Sequence, residues 1–478
     1  MALVAVVAVT FTLRLIAGGL THLTEDEAYY RLWSLAPAFG YYDHPPMIAW
    51  WIWLGRTIAG DNPLGVRLLP ILASAVTSFL VFDMARLAGA GGALGPRAAI
   101  WFNATLLVLA GGFLAVPDAP ASLFWSLTVW CALKAARGRP FRWWTAAGVA
   151  AGLAVLSKYS ALFIAPGMLL WLGSSAQGRA RLRTKGPWIA AAIAGSIFAV
   201  NVAWNADHQW ITFAKQFGRV TPRHFAPQYL AEFVAGQMLL LSPLIALFAA
   251  VALFIRPRGK SEVDLTTFLA VSAPFAGYLL VHSLHDRVQA HWPAPLYPML
   301  AICAAVAAER LSDRAGWRRL AKAAPVFGFG LGAVALVVLA VPGGALGRFD
   351  LALPVRGWSP FAAKIEGLRA SAGGAWVGTT SYGLASELMG EPALKAPVLQ
   401  IAERDRWRDL KYSSPPDMAS PGLVLDLTRR MNAGALGGCF AKVTPLGTIV
   451  RGDAGEPGKA YAVFAVAGSR RDVLAEGC

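Results

Sequence analysis

The sequence predicts a polytopic α-helical membrane protein that ends in a small soluble α/β domain. Three observations carry that reading. Hydrophobic residues make up 56% of the chain and charged ones 15%, with a mean hydropathy of +0.51, beyond what a soluble globular chain carries. About eleven apolar stretches are long enough, or nearly so, for the roughly 17–25 residues that a helical crossing needs. From residue 343 onward the chain becomes more polar, richer in Gly and Pro, and gains short strand-like runs.

The expected spans are 3–20, 64–85, 97–115, 119–136, 143–157, 160–175, 187–205, 229–255, 265–283, 293–308 and 323–342. The fifth and sixth are short enough to form a broken or tilted pair, so the expectation is about 11–13 crossings. Residues 1–20 lack a basic leading segment and a small-x-small site before Thr21, which argues for an uncleaved first helix rather than a signal peptide.

Basic residues set the orientation. Arg86, Arg97, Lys134, Arg137, Arg139, Arg142, Arg179, Arg181, Arg183, Lys185, Arg256, Arg258, Lys260, Arg310, Arg314, Arg318, Arg319 and Lys322 fall in one set of turns, expected to be cytoplasmic. The opposite turns hold fewer, chiefly Arg31, Arg56, Lys158, Lys215, Arg219, Arg223 and Arg287, together with the acidic clusters. A formal charge of +16 spread over short turns forms no continuous basic face, which excludes nucleic acid as the expected partner. The expectation is a multi-pass membrane protein with domains at 1–342, including an external first loop at 21–62, and at 343–478, the latter on the external side.

Within the tail, Ala375–Gly378 and Leu423–Leu427 read as strands and Ser359–Ala370 and Tyr382–Met389 as helices, and about 135 residues suffice for a separate core. Of the four cysteines, Cys131 and Cys303 lie in apolar spans, whereas Cys439 and Cys478 lie in the tail, where a disulfide is plausible in an oxidising compartment. Met47–Ala59 and 206–228 read as amphipathic interfacial segments.

Chemistry concentrates at the outer ends of the spans. Carboxylates against a membrane scaffold are costly unless they react or pair with cations. Asp26 and Asp43 are candidates to take a proton from an acceptor hydroxyl, with Glu27, Tyr42 and His44 beside them. Helix capping, or pairing with Arg31 and His44, is the competing reading. Asp118 opens a helix, where N-capping suffices as an explanation. Lys158, followed by Tyr159, has no acid nearby in sequence, so a phosphate would satisfy it; snorkelling to the headgroups competes. His285, Arg287 and His291 gather in one outer turn, fit to neutralise a phosphate. Their spacing matches no standard metal site, so a divalent metal is not expected.

These residues carry a resemblance. Asp26-Glu27-Ala28-Tyr29-Tyr30, Gly40-Tyr41-Tyr42-Asp43-His44-Pro45-Pro46, Pro117-Asp118-Ala119-Pro120, Ser157-Lys158-Tyr159, His291-Trp292 and the run from Thr380 to Glu387 look like the bacterial glycosyltransferases of family 39. That group contains the protein O-mannosyltransferases and the lipid A aminoarabinose transferase. The resemblance implies a C-type glycosyltransferase fold and an inverting transfer from a polyprenyl-phosphate sugar, at the outer face of the membrane, to a lipid, glycan or protein acceptor. It implies Asp26 as the base or essential acid, Asp43 as its partner, and Lys158 with the His285–His291 turn as the donor-phosphate region. Tyr29 and His44 stand where aminoarabinose transferases carry Arg and Lys, which weighs against that particular donor. No cofactor is required for such a reaction. A membrane transporter or lipid flippase is the alternative, but no internal repeat is visible and the charges sit at span ends rather than at the midplane.

Overall fold

The protein is described by a computed structural model, over residues 2–88, 92–138, 140–218, 225–255, 265–340, 352–407, 410, 416–452 and 458–478. Arg139, Arg219, Arg223, Arg256, Arg258 and Lys260, used above for orientation, and the expected domain boundary at 342–343 lie outside those residues. The chain divides into two units, Met1–Gly19 with Ala38–Leu336 and Leu20–Pro37 with Val337–Cys478. The stretch 20–37, read from sequence as part of the membrane domain's external loop, therefore belongs to the unit that holds the tail.

The first unit is helical. Among the described residues, five helices are long and apolar enough to cross a membrane: Ala2–Leu20, Pro63–Leu87, Lys185–Asp207, Leu265–His282 and Ala315–Leu339. Gln228–Leu240 and Pro243–Ala252, bent by 110°, add a sixth if counted as one span. The other expected spans are shorter, less apolar or interrupted. The stretch 97–115 breaks into Leu94–Asn103 and Leu106–Gly111, and 160–175 opens as a 3₁₀ turn, Tyr159–Phe163, before the helix Ile164–Gly173.

Packing follows composition. Tyr297–Arg310 is apolar nearly all round and is buried along most of its length, and its run of alanines allows neighbouring backbones to approach. Around it, Trp101 packs at a tilt against Phe248 with ring centres 5.2 Å apart, and Trp125 against Phe275 at 5.7 Å. Lys185–Asp207 leaves most of its apolar surface uncovered, as a lipid-facing helix does.

The second unit is built on a five-stranded sheet of order β2-β1-β3-β5-β4, with β1 Trp376–Thr379, β2 Val398–Gln400, β3 Gly422–Leu427, β4 Phe440–Arg451 and β5 Lys459–Ser469. The first three strands are parallel; β5 runs antiparallel to β3 and pairs with β4 as a hairpin. Side chains alternate across the sheet. Val377, Leu423 and Leu425 face a core with Trp358, Phe361 and Leu384, while Trp376 and Val424 face another with Leu399, Phe440 and Val466. Cys439 and Cys478 are joined by a disulfide that ties the C-terminus to the start of β4. Cys131 and Cys303 are buried free thiols.

Candidate active site

In the first unit the site begins with a helical hairpin. Asp118–Arg137 and Pro140–Ser157 are separated in sequence by two residues, so they pack antiparallel and the start of one meets the end of the other. Asp118 opens the first. Its cap position is Pro117, and no side chain caps the helix, so the capping reading of Asp118 is corrected. Lys158 leaves the second in extended backbone, φ −160°, which turns its side chain out of the helical ladder. The two meet with Nζ 2.7 Å from Oδ1, the Asp118 side chain 3% and the Lys158 side chain 12% exposed. An acid forty residues upstream thus pairs the ammonium that sequence proximity left alone.

His291 adds a second cation when protonated, its Nε2 3.5 Å from Asp118 Oδ2. The neighbouring Trp292 presents its ring to Lys158 Nζ at 5.5 Å. Asp118 and His291 both line a cavity of about 90 Å³ that continues past Ser122 and Ala119 to Ser74, Thr77 and Gly112. Tyr159 turns the other way, donating its hydroxyl to Asn201 Oδ1 at 2.8 Å.

Asp43 lies on a loop strapped from behind by the end of Lys185–Asp207 and by Ile211–Gly218. Asn201 Nδ2 donates to Phe39 O at 2.7 Å, Thr212 Oγ1 to Tyr41 O at 2.7 Å, and Gln216 Nε2 to Asp43 O. Lys215 lies over the Tyr42 ring at 5.1 Å. Tyr41 N donates to His44 O at 3.2 Å, closing the turn before Pro45-Pro46. Gly40 is needed here, because a Cβ at that position would fall 2.3 Å from the Trp204 ring. Asp43 itself is 6% exposed. The sequence treated 206–228 as an interfacial segment; its described part also anchors this acidic loop.

The structure engages two predicted phosphate ligands elsewhere. Arg287 makes a two-pronged pair with Glu232 at 2.9 and 3.2 Å and is largely exposed. His285 hydrogen-bonds Val281 O at 3.1 Å and meets Phe225 edge-on. Arg287 is thus paired with a carboxylate, as Lys158 is with Asp118.

In the second unit, Glu25–Trp33 is opened by Thr24 and Glu27, each accepting a backbone hydrogen bond from the other. Glu27 is fully buried in that role, which is the capping alternative for this residue. Asp26 Oδ1 accepts from Tyr382 Oη at 2.8 Å. Around it, Tyr29 packs on Tyr382 and Trp407, ring centres 4.9 and 5.6 Å apart, and Arg406 lies 4.3 Å over Tyr382. The motif beginning at Asp26 and the run from Thr380 are thus packed together. His22 lies 2.9 Å from Glu391 and 3.4 Å from Glu387. Burial, and then Glu25, push the Glu387 carboxyl well above the usual carboxylate range against the pull of Arg451.

Residues 43–204 match the model of the dolichyl-phosphate-mannose-protein mannosyltransferase family, a segment that contains Asp43, Asp118 and Lys158. The chain is 26% identical over 283 residues to the lipid A galacturonosyltransferase RgtD of Rhizobium johnstonii, a match spanning 57% of this chain and 58% of that protein. Its structure superimposes on ArnT from Cupriavidus metallidurans bound to undecaprenyl phosphate with a TM-score of 0.65, over 97% of both chains at 15% identity. This is the fold of the C-type glycosyltransferases. The family 39 resemblance carried by the sequence motifs agrees with it. The C-type fold also superimposes on the mycobacterial arabinofuranosyltransferase AftD, with a TM-score of 0.55 over 98% of this chain and 40% of that one, at 15% identity. Among the described residues of this C-type glycosyltransferase fold, no group of three or more His, Cys, Asp or Glu is placed to hold a metal.

Proposed function

We propose that the chain is an inverting glycosyltransferase that moves a sugar from a polyprenyl-phosphate donor to a lipid acceptor, at the periplasmic face of the inner membrane. The observation that carries this reading is the Asp118–Lys158 pair beside His291 and Trp292, with Asp118 and His291 on the wall of a cavity. A lipid phosphate leaves already ionised near neutral pH, so it needs cations rather than a general acid. Lys158 and protonated His291 supply them, and Asp118 holds the ammonium in place. The acceptor hydroxyl attacks the anomeric carbon as the bond to the phosphate oxygen breaks, and its proton passes to a carboxylate. Asp43 and Asp26 are the candidates for that base. The curated relative acts on lipid A, which makes a lipid acceptor the first to test, ahead of glycan or protein.

Purified protein would be incubated with radiolabelled polyprenyl-phosphate sugars and lipid A, comparing wild type with Asp43→Asn, Asp26→Asn and Lys158→Ala. The proposal expects a labelled glycolipid from wild type and a loss of roughly 100-fold or more in Lys158→Ala and in the variant of the true base. Movement of labelled donor across vesicles with no new glycosidic bond would instead establish a flippase.

A further inference from the structure

We propose that a second cavity of the first unit, of about 380 Å³, holds an acyl chain of an anionic glycerophospholipid whose headgroup is received by Arg142, Arg183 and Lys185. The cavity lies among the helices Pro140–Ser157, Ile164–Gly173 and Lys185–Asp207, and its walls are almost wholly apolar. Among the described residues that form them, Asp118, Lys158 and His291 do not appear, so the cavity is separate from the candidate active site. Leu169 and Trp188 on its wall are 52% and 58% exposed, so it opens toward lipid. From Trp144 to Val155 it follows one helix for roughly 16 Å, at about 1.5 Å per residue. That is about half of a hydrocarbon core roughly 30 Å thick, a depth that suits a chain from one leaflet.

The Trp144 end of the cavity is basic. Residues 119–206 contain no Asp or Glu, yet the helix ends that meet there carry Arg142, Arg183 and Lys185. Contacts fix their convergence. A Cβ on Gly186 would fall 2.3 Å from the Trp144 ring, so Lys185–Asp207 starts against the start of Pro140–Ser157. Trp188 Nε1 donates to Leu182 O at 2.8 Å and Arg181 Nη2 to Ala136 O at 2.7 Å, which gathers the ends of Ala176–Leu182 and Asp118–Arg137 at the same place. Leu182 and Pro187 line the cavity. Arg142, Arg183 and Lys185 stand within two residues of Trp144, Leu182 and Pro187, are exposed, and make no ion pair among the described residues. Cations at the membrane surface attract anionic lipid, and basic pockets between membrane helices bind such headgroups. The other end carries aromatic rings: Phe198 packs with Tyr159 and Phe213, ring centres 6.1 and 6.3 Å away, while Lys158 engages Asp118. Membrane orientation by basic turns accounts for the charges, but not for an apolar cavity one leaflet deep between them.

Equilibrium binding of phosphatidylglycerol and of phosphatidylcholine with matching acyl chains would be measured on the full chain in detergent, by mass spectrometry of the intact complex. Wild type would be compared with the triple variant Arg142→Gln, Arg183→Gln, Lys185→Gln and with Gly195→Leu. Gly195 lines the cavity and a Cβ there meets open space, so the leucine fills the groove without a clash at its base. Wild type should prefer phosphatidylglycerol by roughly 10-fold, and the triple variant should lose that preference while holding phosphatidylcholine within about 3-fold of wild type. Gly195→Leu should weaken phosphatidylglycerol by about 10-fold or more, because several methylene groups lose their burial. Equal affinity of wild type for the two lipids, or wild-type binding of phosphatidylglycerol by Gly195→Leu, would overturn the proposal. So would displacement of phosphatidylglycerol by bare polyprenyl phosphate that Gly195→Leu abolishes, which gives the groove to the donor's tail, or self-association of the chain that the same variant abolishes, which gives it to a second copy.

Discussion

Lys158 Nζ lies 2.7 Å from Asp118 Oδ1, joining the end of one helix to the start of the helix before it. Because Asp118 is 3% exposed, the carboxylate depends on its partner for compensation. Lys158→Met should cost about 3–5 kcal/mol, the price of an uncompensated buried charge. The double variant Lys158→Met with Asp118→Leu should recover most of that stability and none of the activity. Denaturant unfolding of the four proteins in detergent checks the cycle; additive losses would mean that the pair is not coupled.

Gly40 tests the acidic loop without touching a charge. A side chain there would meet the Trp204 ring and push Asp43 off its position. Gly40→Ala should lower kcat by roughly 100-fold, as a displacement of about 1 Å in a catalytic group does. Trimming the obstacle with Trp204→Leu should restore part of the rate. A Gly40→Ala enzyme of wild-type rate would show that the loop's placement does not matter to catalysis.

Glu387 gives a pH dependence of known sign. Its folded pKa is raised, chiefly by burial, so its neutral form favours the fold. That contribution is complete below the ordinary carboxyl pKa and is lost as pH rises through the raised value. Thermal unfolding of the full chain should therefore weaken over that interval, and Glu387→Gln should flatten the decline and raise Tm above wild type at pH 8. Parallel curves for the two proteins would contradict the assignment.

The disulfide between Cys439 and Cys478 closes a separation of 39 residues. Loop-closure entropy puts its contribution at about 4 kcal/mol. Cys478→Ser should lower the unfolding midpoint of the second unit accordingly, and peptide mapping without reductant should recover the linked pair from wild type.

The sequence made local features readable and left most pairings hidden. Strands around Val377 and Val424 showed themselves as apolar runs between turn residues, and the helix Tyr382–Met389 fell where it was expected. Lys158 was visible as a cation at a helix end. Its partner was not, because Asp118 has the signature of a helix cap and only the antiparallel hairpin brings the two together. Arg287 pairs with Glu232, fifty-five residues earlier, a partner that its own turn does not announce. Tyr382 bonds Asp26 across 356 residues of chain, a contact that no spacing rule encodes. Arg14 is buried within an otherwise apolar first helix, where the hydropathy of the span masks a single costly guanidinium.

Affinity for bare polyprenyl phosphate, the proposed product, tests the central claim most directly. Wild type should bind it, and Lys158→Met should bind roughly 30-fold more weakly, the loss expected when a charged hydrogen-bond partner is removed; Arg287→Met should bind as wild type does. Unchanged affinity in Lys158→Met would contradict the account.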